Sequence, residues 1–221
     1  MSATGNAGRE ASRELDRIVS FTDGVFAIVI TLLILTIQVP EIPAASVAHE
    51  LPSRLLALEP KVFSYVISFL VVGVYWMGHH RVFKPIRGYD GTLLWLNLLF
   101  LMTISFLPFP TSLLGEYGQQ QLPVVIYAVN VSVASLLLTS ISWYATREGR
   151  LTAPDLDEGR ARHERVQGLA VPAVFLLSIA VSFFSVRVAM YSWLILLAVD
   201  TVIVLRSWRG KDHVRCQAAL V

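Results

Sequence analysis

The 221-residue chain predicts an all-α, polytopic membrane protein of six transmembrane helices with both termini in the cytoplasm, and three observations predict it. Hydrophobic residues make up 55% of the sequence and charged residues only 15%, where a soluble domain carries about a quarter charged. The mean hydropathy is +0.61. Charges are expelled from long apolar runs and gathered between them, which leaves six stretches near the roughly 17–25 residues that a helix needs to cross a bilayer.

Those stretches are 20–39, 61–80, 92–114, 122–145, 166–186 and 189–206. Pro60 and Pro123 open the second and fourth at first-turn positions, where a missing N–H costs nothing. Pro108 and Pro110 are expected to end or kink the third, and Pro172 to bend the fifth. Between the first two spans, Pro40, Pro43 and Pro52 mark the segment 40–58, whose middle (SVAHELPSRLLAL) can form a short amphipathic helix on the membrane. The stretch 146–165 reads as a solvated, partly helical linker.

Basic residues set the orientation. With the N-terminus inside, fifteen of the eighteen lysines and arginines fall in cytoplasmic segments. Only Arg54, Lys61 and Arg187 remain outside, so the positive-inside rule places both termini in the cytoplasm. Residues 1–16 are polar and lack the apolar core of a signal peptide, so the first span itself is expected to direct insertion. The domain reading is a cytoplasmic segment at 1–16, a membrane domain at 17–207 and a cytoplasmic tail at 208–221.

The first span carries the most information. Taken as a helix advancing about 100° per residue, it lines up Gly24, Ile28, Thr31, Leu32, Leu35 and Val39 on one stripe. Such a stripe is commonly a packing seam. In a symmetric oligomer it can instead line a central path, with apolar rings that gate by dewetting and a threonine ring that offers oxygen to a cation. Asp23 falls on the far side from Ile28. A carboxylate at the rim of a hydrocarbon layer needs fixed partners, and Trp76, His79, His80 and Asn97 lie at a matching depth. A network of these with Thr22 would satisfy several buried polar groups together. Arg17, six residues before Asp23, is not its neighbour on one helix face and is expected to meet another helix or an adjoining subunit.

Other chemistry finds little support. One cysteine, Cys216, excludes a disulfide within the chain and a cysteine metal cluster. There is no HExxH, no carbonyl-filter loop of the TVGYG type and no phosphate-cradling glycine loop. Asp200, in the last span, is a second buried-charge candidate without a partner nameable from sequence. Trp95, Trp143, Trp193 and Trp208 need no special role, since interfacial aromatic belts account for several of them. A secondary transporter using the Asp/His cluster as a coupling site is the competing reading, but span one has no glycine or proline between Ala27 and Val39 to break it at the midplane.

The run Arg17-x-x-x-Phe21-Thr22-Asp23, followed by GVFAIVITLLIL, resembles the signature of the transmembrane protein 175 potassium-channel family, with threonine where that motif has serine. The resemblance continues through YWMGHHRVF (75–83) and LNLLFLMTISFLPFPTSLLG (96–115). It implies a prokaryotic, six-helix subunit of the inner membrane, assembled as a homotetramer whose first helices surround a K+-selective pore. Carried onto this sequence, it implies constrictions at Ile28, Leu32 and Leu35 and a hydroxyl layer at Thr31. Arg17, Phe21, Thr22 and Asp23, with His79 or His80, would brace the helix from behind. It implies no cofactor, no resident metal, no nucleic acid and no enzymatic activity.

Overall fold

A computed structural model describes residues 3–149, 151–152, 172–186, 188–189 and 192–193. Six helices run through the first part: α1 Ala3–Leu32, α2 Val47–Leu56, α3 Glu59–Phe83, α4 Gly91–Phe106, α5 Pro108–Tyr117 and α6 Gln121–Thr146. A further apolar helix, α7, spans Pro172–Ser182. Four units are long and apolar enough to cross a membrane: Ser12–Thr36, Glu59–Phe83, Gly91–Tyr117 and Gln121–Thr146. They match the first four expected spans closely. The sixth span, including Asp200, lies almost wholly outside the described residues, as does most of the 146–165 linker. Pro172 opens the described part of span five, and its expected bend concerns residues before it that are not described.

Helix α1 runs without a break from Ala3 through the polar residues before Arg17. At its other end it tightens into a 3-10 turn, Leu33–Thr36. Thr36 Oγ1 donates to the Leu33 carbonyl at 2.8 Å, satisfying one of the acceptors that a helix end leaves open. The chain then runs without regular structure past Pro40 and Pro43 into α2, whose residues are all at least partly exposed.

Pro60 sits in the first turn of α3. At Leu107, between α4 and α5, the amide turns to the Ile104 carbonyl at 3.1 Å. Pro108 would clash with that same carbonyl in a regular helix. Thr111 then closes the next turn through both its amide and its hydroxyl on the Leu107 carbonyl. Span three is therefore one crossing made of two helices.

The core lies where α3, α4, α5 and α6 pack on one another, with α1 laid against α3 and α4. Phe26, Leu33, Val72, Tyr75, Phe100, Ile104 and Tyr127 fill it. Trp193 is also fully buried, stacked on Tyr127 at 5.0 Å and donating through Nε1 to Ser178 Oγ at 2.8 Å. Trp193 is therefore not one of the belt residues: a partner for the indole N–H lies within the bundle, and the ring packs inside. Trp95 and Trp143 remain exposed.

Several polar side chains inside the bundle are paired, as a hydrocarbon surrounding favours, while Ser132 Oγ is buried without a partner. Thr111 Oγ1 lies 2.8 Å from Ser68 Oγ, and Ser68 shares a hydrogen bond with the Tyr127 hydroxyl at 3.1 Å. Tyr75 donates to the Val131 carbonyl and lies 2.9 Å from Ser135 Oγ. At one end of the bundle, Lys61 meets Glu116 at 2.6 Å. At the other, Asp90 caps α4 by accepting from the Leu93 amide at 2.9 Å, and its second oxygen accepts from the Tyr144 hydroxyl.

Candidate functional site

Helix α1 has two opposite faces along its length. Leu15, Ile18, Val19, Thr22, Phe26, Val29 and Leu33 turn toward the bundle and are buried or partly buried. The other face carries Phe21, Gly24, Ile28, Thr31, Leu32 and Leu35, all exposed in the isolated subunit. Ile28 is 59%, Leu32 42% and Leu35 68% exposed, so these large apolar side chains are left largely uncovered by the described residues. The α-helical register that groups them holds through Leu32. Leu35 follows in the 3-10 turn and Val39 in the irregular segment beyond it, and both stay exposed.

Thr31 is the polar exception on this face. Its Oγ1 donates to the Ile28 carbonyl at 2.8 Å. With the hydroxyl proton held by the backbone, the oxygen lone pairs remain to accept, which suits contact with a cation.

Behind the exposed face stand two polar groups rather than one network. In the first, Asn97 Nδ2 donates to Thr22 Oγ1 at 3.0 Å, and Asn97 Oδ1 lies 3.0 Å from His79 Nε2. An amide oxygen only accepts, so Nε2 carries the imidazole proton. All three side chains are buried. The His79 ring is stacked on Phe83 at 4.1 Å and Phe100 at 5.9 Å, and its Nδ1 has no hydrogen-bond partner. The chain Thr22–Asn97–His79 thus ties α1 to α4 and α4 to α3.

In the second group, Trp76 Nε1 donates to Asp23 Oδ1 at 2.9 Å. His80 Nε2 is 3.8 Å from that oxygen, beyond hydrogen-bond range, while His80 Nδ1 lies 3.2 Å from the Trp76 carbonyl. The His80 and Trp76 rings are 4.7 Å apart. This group is half exposed. Between the two histidines, His79 is the one in the buried network.

Arg17 and Phe21 join neither group. Arg17 Nη1 bonds Glu14 Oε1 at 2.7 Å on its own helix and is 77% exposed, and Phe21 is 58% exposed. The physical reason is register. Residues 17 and 21 lie within about 20° of Ile28 around the helix, whereas Thr22 and Asp23 lie on the far side. One contiguous motif therefore serves two faces.

The Ser68–Thr111–Tyr127 and Tyr75–Ser135 contacts were missed from sequence. Their signal is the spacing of Ser64, Ser68, Tyr75 and His79, all buried, which places four polar residues on one face of α3. Among the described residues, no group of histidine, cysteine, aspartate and glutamate side chains is placed to hold a metal.

Comparison with known proteins identifies the family. Residues 17–108 match the family model described as "Endosomal/lysosomal potassium channel TMEM175". A potassium channel from Streptomyces collinus is 39% identical over 158 residues, covering 70% of this chain and 75% of that protein. The human endosomal/lysosomal proton channel TMEM175 is 31% identical over 188 residues, covering 83% of this chain and 36% of the human one. Among solved structures, the crystal structure of a lysosomal potassium-selective channel TMEM175 homolog from Chamaesiphon minutus superposes with a TM-score of 0.76 at 30% identity. The match covers 86% of this chain and 97% of that one. The chain belongs to the TMEM175 family, a family of membrane channels and not of enzymes.

Proposed function

We propose that four copies of this chain surround a central axis lined by the exposed face of α1 and conduct K+ passively across a bacterial inner membrane. Ile28, Leu32 and Leu35 form the narrow apolar rings, which gate by dewetting. Thr31 supplies a layer of hydroxyl oxygens that takes part in selecting the ion. Both termini lie in the cytoplasm, and the chain crosses the membrane six times.

One observation carries this reading. The face of α1 opposite the buried polar contacts is apolar at nearly every position and left largely uncovered by the described residues, while Asn97 and Trp76 fix the helix from behind. A narrow pore requires that combination, because four slender helices hold a constant diameter only when each is braced. The bacterial relatives named potassium channels support the choice of ion.

Reconstitution into liposomes with a K+ gradient tests the proposal. Expected is K+ flux that rises linearly with the gradient and needs no counter-ion. Saturating flux that requires a coupled ion would replace the channel with a transporter. A pH-sensitive dye in the same vesicles reads proton conduction, the second reading that the human relative's name favours.

A further inference from the structure

The exposed face of α1 does not stop at the membrane. From Leu35 down to Glu10 the positions 35, 31, 28, 24, 21, 17, 14 and 10 follow alternating steps of four and three residues, the spacing that keeps a helical seam facing one axis. The backbone through this run is unbroken helix as far as Leu32. The opposite, bundle-facing stripe is equally continuous, from Leu33 to Leu15. The helix therefore presents the same face outward from Leu32 to the level of Leu15, and its unbroken register carries that face on to Glu10.

Beyond Phe21 that face becomes charged. Glu10, Arg13, Glu14 and Arg17 lie within about 60° of the seam line, and none of them is buried. Their placement is sided: Glu14 is on one flank, with Arg13 and Arg17 on the other. In a ring of identical helices, one flank of each helix faces the opposite flank of the next.

We propose that the polar end of α1 packs against its copies as a charged collar that extends the pore inward. Glu14 of each subunit, which also bonds Arg17 of its own helix at 2.7 Å, faces Arg13 of the next, and a ring of Phe21 forms the inner mouth. The occupant of the face is a second copy of this chain, chosen because the charges are complementary across the flanks and the seam continues that of Ile28 and Leu32. The collar rests on the proposed pore. Its role is to hold the inner ends of the helices about 16 Å beyond Phe21 and to balance the arginines, which alone would repel cations from the mouth.

Crosslinking and salt dependence test it. In a Cys216→Ser background, chains carrying Arg13→Cys and Glu14→Cys are co-expressed with tags of different size and oxidised in the membrane. Mixed dimers are expected. Asp16→Cys, about 120° away from the seam, gives none. Glu10→Gln with Glu14→Gln leaves two rings of arginine unbalanced. K+ flux should then fall severalfold near 0.01 M ionic strength, where the Debye length is about 30 Å, and recover near 1 M, where it is about 3 Å. Absence of crosslinks, or equal loss of flux at both salt concentrations, in a parent that conducts K+ would overturn the collar and leave the pore standing. A parent that conducts no K+ but crosslinks as expected would support the collar as an assembly seam and sink the pore.

Discussion

Asn97 holds Thr22 of α1 with one end of its amide and His79 of α3 with the other, each at 3.0 Å. No other described side chain joins the lone helix α1 to two neighbours at once through buried hydrogen bonds. The consequence is a helix whose rotation is fixed, so that the face it shows to other copies is fixed too.

Asn97→Leu should therefore be the most damaging single change in the site. It leaves Thr22 and His79 buried without partners, and the imidazole already has one orphaned nitrogen. A loss of about 2–4 kcal/mol is expected, read as a lowered midpoint in thermal unfolding followed by size-exclusion chromatography. An unchanged midpoint means that the contact does not brace α1.

Asp23→Ala should cost less than Asn97→Leu. It removes the acceptor for Trp76 Nε1, but the carboxylate is half exposed and water can replace part of what is lost. The expected loss is about 1–2 kcal/mol, with Asp23→Asn retaining most of the stability because it keeps an acceptor. The same thermal assay ranks the three variants, and a larger effect at Asp23 than at Asn97 contradicts the division into two polar groups.

Gly115→Ala should separate α3 from α5. A Cβ at this position would stand 2.8 Å from Ser64 Oγ and 3.1 Å from the Lys61 Cα. The serine hydroxyl can rotate away, but the backbone of α3 must shift. Overpacking of this kind costs about 1–3 kcal/mol, measurable as reduced yield of folded protein and a lower unfolding temperature. Gly24→Ala, with nothing within 4 Å of its Cβ position, is the control and should keep subunit stability.

Thr31→Val should lower the preference for K+ over Na+, while Thr31→Ser should keep it. Valine preserves the shape and removes the oxygen, whereas serine keeps the donor to the Ile28 carbonyl and the outward lone pairs. Reversal potentials under K+/Na+ gradients decide between them. Equal selectivity in both variants would assign the choice of ion to the aliphatic rings alone.

Much of the fold is legible in the sequence because the bilayer demands it. Glu59–Phe83 and Gln121–Thr146 sit within a few residues of their hydropathy limits, and Pro108 breaks the third span where a missing donor requires. Asp23 was readable as needing a partner, and Trp76 supplies it. The start of α1 was not, because hydropathy is blind to a helix held by charge pairs such as Glu14–Arg17. Within the single subunit Arg17 and Phe21 stand apart from Asp23. Adjacency in a motif says nothing about helix face, and only the four-three spacing separates the residues that look inward from those that look out. Burial of Trp193 could not be read because it depends on Ser178 and Tyr127, which are distant or uninformative in sequence.

The most direct test of the central claim is silver block of K+ flux through Ile28→Cys in a Cys216→Ser background. The account predicts that Ag+ abolishes flux through Ile28→Cys liposomes and spares the parent and Val66→Cys, whose side chain is exposed on α3. Undiminished K+ flux after complete modification of Cys at position 28, verified by mass, would show that this face of α1 does not line the path.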